Sequence, residues 1–173
     1  MLNLCVPYIL KGERKIHISV NIGDQKEDVI CVVNEARKII DTLDIEMIDL
    51  SKSRIYEDEG VHFEVCPVSE KAMGVYMCIR TAEDIAAGAL GGSHVHFNSE
   101  HYAKDFSSIA LEHFRKLLHS KQYIKEKFRK GRLYSFEVLF KQDGEVISSF
   151  ESTESLTGFF GVTTVEESEF SFL

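Results

Sequence analysis

The chain has no tryptophan and only two prolines in 173 residues. So few prolines leave no polyproline segment and no proline-rich linker. Its four cysteines, Cys5, Cys31, Cys66 and Cys78, lie far apart and form no C-x-x-C pair. That spacing supports neither a zinc knuckle nor a dithiol redox motif, and reduced cysteines packed as small hydrophobes are expected. No window reaches the ~18 apolar residues of a membrane-spanning helix. The opening MLNLCVPYILKGER puts no basic side chain ahead of its apolar run, and no small-residue cleavage site follows. A secretory leader is therefore not expected, and a cytoplasmic location is. Internal repeats and low-complexity tracts are absent too.

What remains has the composition of an ordinary globular protein, 44% hydrophobic and 28% charged. The length fits one domain over 1–173, and a chain of this size buries roughly 70% of its unfolded surface. It therefore needs no disulfide or metal to fold. Twelve phenylalanines point to a Phe-rich core.

The net charge is −8, unevenly spread. Residues 1–100 carry 10 basic and 17 acidic side chains, residues 101–141 carry 10 and 4, and residues 142–173 carry none and 7. One basic segment lies between acidic regions.

Periodicity divides the chain into short elements. Residues 15–22, KIHISVNI, alternate strictly and read as a half-buried strand. Asp24 and Glu27 have capping-box spacing, and a helix is expected over 25–43 with Val29, Val32, Val33, Ala36, Ile40 and Leu43 on one stripe. Strands are expected over 45–56, 62–68 and 75–80, with a turn at Glu57–Gly60. Thr81 to Asp84 reads as a cap for a short Ala-rich helix reaching Leu90, ended by Gly91-Gly92. A strand over 93–98 follows, then a helix over 99–119. A further helical segment is expected over 121–130. Residues 133–150 read as a hairpin around Asp143-Gly144, and an edge strand is expected around 159–165. The sum is a single α+β domain with a mostly antiparallel sheet and helices on one face.

One stretch invites chemistry: LGGSHVHFNSEH, residues 90–101. On a strand, Val95 and Phe97 point into the core and His94, His96 and Asn98 point outward together. Glu100 and His101 then stand at the start of the next helix, behind Asn98 or Ser99 as N-cap. His94, His96, Glu100 and His101 form a candidate set of metal ligands of the kind zinc or iron accepts. The simpler reading is two solvent-facing strand histidines and a first-turn histidine. Gly88, Gly91 and Gly92 follow a predicted helix and carry no Walker lysine, so no phosphate cradle is expected.

Two charged features remain. Arg115, Lys116, Lys121, Lys125, Lys127, Arg129, Lys130 and Arg132 are interleaved with Tyr123, Phe128 and Tyr134. That pattern is a candidate nucleic-acid footprint, or else a basic face paired with the protein's own acidic regions. Acidic clusters stand at Glu57, Asp58 and Glu59 and at Glu166, Glu167 and Glu169. Such surfaces steer basic partners. The expected function is a non-enzymatic module that binds a basic protein, such as an inhibitor or immunity-type protein masking a basic nuclease, with no cofactor. The alternatives are a metal-dependent enzyme using His94, His96 and His101, and a nucleic-acid or regulatory adaptor using 115–132.

Overall fold

The computed structural model describes residues 8–9, 15–20, 25–92, 94–98, 105–153 and 163–173. The elements run β1 (Tyr8–Ile9), β2 (Lys15–Ser19), α1 (Glu27–Ile40), β3 (Arg54–Glu57), β4 (Val61–Val65), β5 (Val75–Thr81) and β6 (Asp84–Ala89). They continue with β7 (His94–Asn98), α2 (Phe106–His119), β8 (Lys121–Arg129), β9 (Arg132–Gln142), β10 (Glu145–Thr153) and β11 (Thr163–Phe170). Strands β1 to β7 form a seven-stranded sheet in chain order, and β10-β9-β8-β11 form a second sheet. Every pair is antiparallel except β2 and β3, which are parallel and joined through α1. The fold is α+β and mostly antiparallel, with both helices against one face of the larger sheet. Where one sheet was expected, there are two. No helix among the described residues is long and apolar enough to cross a membrane.

Helix α1 follows its sequence pattern. Val29, Val32, Val33, Ala36 and Ile40 are buried, Glu27 and Asp28 occupy the first turn, and Arg37 and Lys38 the last. Those charges complement the helix dipole. Its N-cap is Lys26, which makes no side-chain cap hydrogen bond; Asp24 lies outside the described residues. Helix α2 buries Ala110, Phe114, Leu117 and Leu118 against the sheet, as its spacing requires. Asp105 holds its N-cap position at φ 59°, so the helix starts later than the expected Ser99. Residues 99–104, with Tyr102, lie outside the described residues.

Three expectations fail for one reason: tertiary packing overrides local propensity. The stretch 45–56 is mostly not a strand. It opens with a 3-10 turn at Ile45–Met47, and Asp49 then caps a turn by accepting from the Ser51 N–H at 3.0 Å. Apart from an isolated bridge between Ile48 and Pro67, the strand begins at Arg54. The Ala-rich segment 84–90 is β6, not a helix, and Thr81–Asp84 is the tight turn of a hairpin. Residues Ile85 to Ala89 are all buried. A helix there would present one stripe to the core, whereas a strand between β5 and β7 buries both faces. Gly91, at φ 77°, turns the chain from β6 into β7 rather than ending a helix.

The third failure is 121–130, which forms β8. Its alternation is hidden because two of its inward residues, Gln122 and Glu126, are polar. Gln122 imitates a strand neighbour: its side-chain amide accepts from the Met73 N–H and donates to the Met73 carbonyl, both at 2.8 Å. Glu126 meets the Lys71 ammonium at 2.5 Å. Buried polar groups so satisfied cost little. The hairpin β9–β10 turns at Asp143 (φ 51°) and Gly144 (φ 85°), both left-handed as a primed turn requires. The late edge strand falls at 163–170, paired to β8.

One apolar cluster joins both sheets: Ile85, Ala87 and Ala89 of β6, Phe114 and Leu118 of α2, and Val138 and Phe140 of β9. Ala87 is fully buried beneath α2. Replacing it by leucine, a better filler but too large here, should destabilise the protein by about 1–3 kcal/mol. Urea unfolding measures this, and a neutral result would mean that 84–90 is not packed as a strand.

Candidate functional site

The helices cover one face of the seven-stranded sheet, and the side chains with chemical character stand on the other. Two cross-strand rows set their order. One runs Tyr56, His62, Cys78, Ala86, His96, and the next runs Arg54, Glu64, Tyr76, Gly88, His94. Alternation puts Ile55, Phe63, Met77, Ile85 and Phe97 on the helix side and leaves these residues outward. All five of those apolar residues are buried.

The central part of the face is a closed hydrogen-bond network. Arg54 donates to Glu64 through Nε at 2.6 Å and through a terminal nitrogen at 3.2 Å. Tyr56 donates its hydroxyl proton to Glu64 at 2.9 Å. Burial pushes the Glu64 carboxyl up, but the bonds from Arg54 and Tyr56 outweigh it and leave the group below its ordinary value.

His62 stacks on Tyr56 with ring centroids 4.8 Å apart and planes 10° from parallel. Its Nε2 lies 2.5 Å from the Asp58 carbonyl, which can only accept, so Nε2 carries the proton. Nδ1 is then an acceptor, and the Tyr76 hydroxyl donates to it at 3.0 Å. The Cys78 sulfur lies 3.6 Å from the protonated Nε2. This ring can neither remove the thiol proton nor offer a free lone pair to a metal. Burial also raises the Cys78 thiol above its ordinary value. The pair is thus unsuited to thiolate catalysis.

His94 and His96 differ. They stand on the edge strand β7, with their Nε2 atoms 3.0 Å apart. Both point outward as expected, and Phe97 is buried, but Val95 is 41% exposed rather than in the core. β7 is the last strand of its sheet, so its helix side is only partly covered. Glu100 and His101 lie outside the described residues. Among the described residues, no group of three or more His, Cys, Asp or Glu side chains is placed to hold a metal.

The acidic clusters have different settings. Glu166 pairs with Lys71 at 3.1 Å, Glu167 with Lys125 at 3.3 Å, and Glu169 with Lys121. The C-terminal acids therefore meet the protein's own lysines, two on β8 and one in the β4–β5 connection. Glu57, Asp58 and Glu59 form the exposed β3–β4 turn, where Glu57 accepts from Gln25 at 2.5 Å. That contact brings the start of α1, with Glu27 and Asp28, to the same end of the sheet. The β5–β6 turn adds Glu83 and Asp84 beside it, since Val61 pairs with Ile79. Seven carboxylates from three segments converge there, with Lys26 and Arg80 in the same segments. Arg80 is itself 3.5 Å from Asp84.

The basic residues do not form one helix face. Lys121, Lys125 and Lys127 share the outward face of β8, while Arg129, Lys130 and Arg132 surround the β8–β9 turn. Arg115 and Lys116 stand apart on α2, where Arg115 pairs with Glu112 at 3.3 Å. Sequence reading missed Arg54, Tyr56, Glu64 and Tyr76 altogether. The sulfur beside His62 lies across the sheet, at Cys78. The signal was the outward alternation R-x-Y, H-x-E and Y-x-C on successive short strands. No known family model, curated protein or solved structure matches this chain.

Glu64 supplies a pH test. Its folded value is depressed, so the unfolded chain binds more protons in the window between the two values. Its stabilisation is present above the ordinary carboxylate value of about 4.3 and is lost as pH falls through the folded value. Glu64→Gln should lower stability at neutral pH and flatten the decline in acid. An unchanged acid limb in denaturation measurements would remove Glu64 from this role.

Proposed function

We propose that the chain is a binding module for a basic protein, of the inhibitor or immunity type that masks a cationic surface such as that of a nuclease. The observation that carries this reading is the acidic end formed by Glu27, Asp28, Glu57, Asp58, Glu59, Glu83 and Asp84. Like charges gathered from three segments repel one another, and a cationic partner relieves that repulsion. They also steer encounter, raising the association rate more than the final affinity. The pairing of Glu166, Glu167 and Glu169 with lysines of the same chain supports the acidic end over the C-terminal strand as the contact surface.

The locked state of His62 and Cys78 supports binding rather than catalysis. A reducing compartment such as the cytoplasm suits the free thiols of Cys31, Cys66 and Cys78.

The test has two stages. Affinity capture from the native host at low salt should return a protein of pI above about 9. With that partner purified, reversing Glu57, Asp58 and Glu59 to lysine should cut the association rate by about tenfold or more, and added salt should abolish the difference. Glu167→Lys should change it little. Equal loss from both sites, or a rate indifferent to salt, would refute the acidic end as the docking surface.

A further inference from the structure

We propose that His94 and His96 form a two-nitrogen chelate for a late first-row divalent cation, with Cu2+ bound most tightly. The argument is geometric and does not depend on the basic-partner reading. Imidazole binds such metals at about 2.0–2.1 Å, so two nitrogens at right angles on one ion stand about 2.9 Å apart and two at a tetrahedral angle about 3.4 Å. The Nε2 atoms of His94 and His96 are 3.0 Å apart, inside that range.

The rings meet at an angle, with their Nε2 atoms close. Their centroids are 4.8 Å apart and their planes 65° from parallel. Stacked histidines turn their faces to each other, whereas these turn their nitrogens. Without a metal, one proton lies between the two nitrogens. With a metal, both lone pairs reach the same ion.

The backbone holds this arrangement. His94 pairs with Gly88 and His96 with Ala86 across the β6–β7 ladder. Residues two apart on a strand share a face by construction. The neighbours in the same rows, Gly88 and Ala86, have almost no side chain. A cysteine ligand is too distant: Cys78 is two strand spacings from His96, about 9.6 Å. Two neutral imidazoles and water suit borderline metals, among which affinity rises to a maximum at Cu2+.

His62, His113 and His119 lack this freedom. His62 has both nitrogens engaged. His119 donates from Nε2 to Thr42 at 2.9 Å, since the Thr42 proton already goes to the Ile39 carbonyl. His113 is partly buried against Phe97.

The test uses the full chain without a polyhistidine tag. Titration with Cu2+ should show one site, and its electron paramagnetic resonance spectrum should carry the splitting of two imidazole nitrogens. His94→Gln and His96→Gln should each weaken binding by at least about tenfold, and His119→Gln should not. A wild-type spectrum with one nitrogen or none overturns the proposal without recourse to any variant. So does an affinity weaker than about 100 μM, or one that both β7 variants leave unchanged.

Discussion

Helix α2 is covered on two sides, and the small residues of β6 let it sit where it does. Ala87 and Ala89 lie beneath it in the larger sheet, while Val138 and Phe140 of β9 join the same cluster from the smaller one. Larger side chains on β6 would lift the helix and open the gap that Phe114 and Leu118 fill. Cores at crystal-like density leave no slack for that shift. The second sheet depends on the same contact, because it meets the first through α2 and through Gln122 and Lys71.

Charge is arranged around this core in two ways. On the smaller sheet, opposite charges face each other across β8 and β11, with Lys121 and Lys125 against Glu169 and Glu167. Exposed pairs of this kind contribute little individually. Together they favour one register of an edge strand and neutralise the basic segment locally. At the end of the larger sheet, carboxylates from three segments lie near one another. The outer sheet face between these regions is hydrogen-bonded at its centre, around His62 and Glu64, and at its β7 edge His94 and His96 face each other.

Legibility followed burial. Where one face was apolar and the other polar, as in α1, α2 and the β9–β10 hairpin, the period alone showed the element. Where both faces were buried, as in β6, the period vanished and alanine content suggested a helix. Where buried positions were polar, as at Gln122 and Glu126 of β8, the aromatic and basic residues implied a false helical face. The histidine pair was readable because neighbours two apart on a strand need no tertiary information. The network around His62 was not, because its partners come from three strands.

The sequence by itself determined the local facts: which segments alternate, where Asp143-Gly144 must turn, that His94 and His96 share a face, and that basic residues sit between acidic ones. These depend on neighbours within a few positions. Only the tertiary structure decided that Cys78 meets His62, that the C-terminal acids meet the protein's own lysines, and that three acidic segments converge at one end. Those outcomes depend on strand order and register, which are set by long-range burial of apolar surface. Every residue's partners across a sheet follow from that choice, and none of them is encoded in its own local stretch.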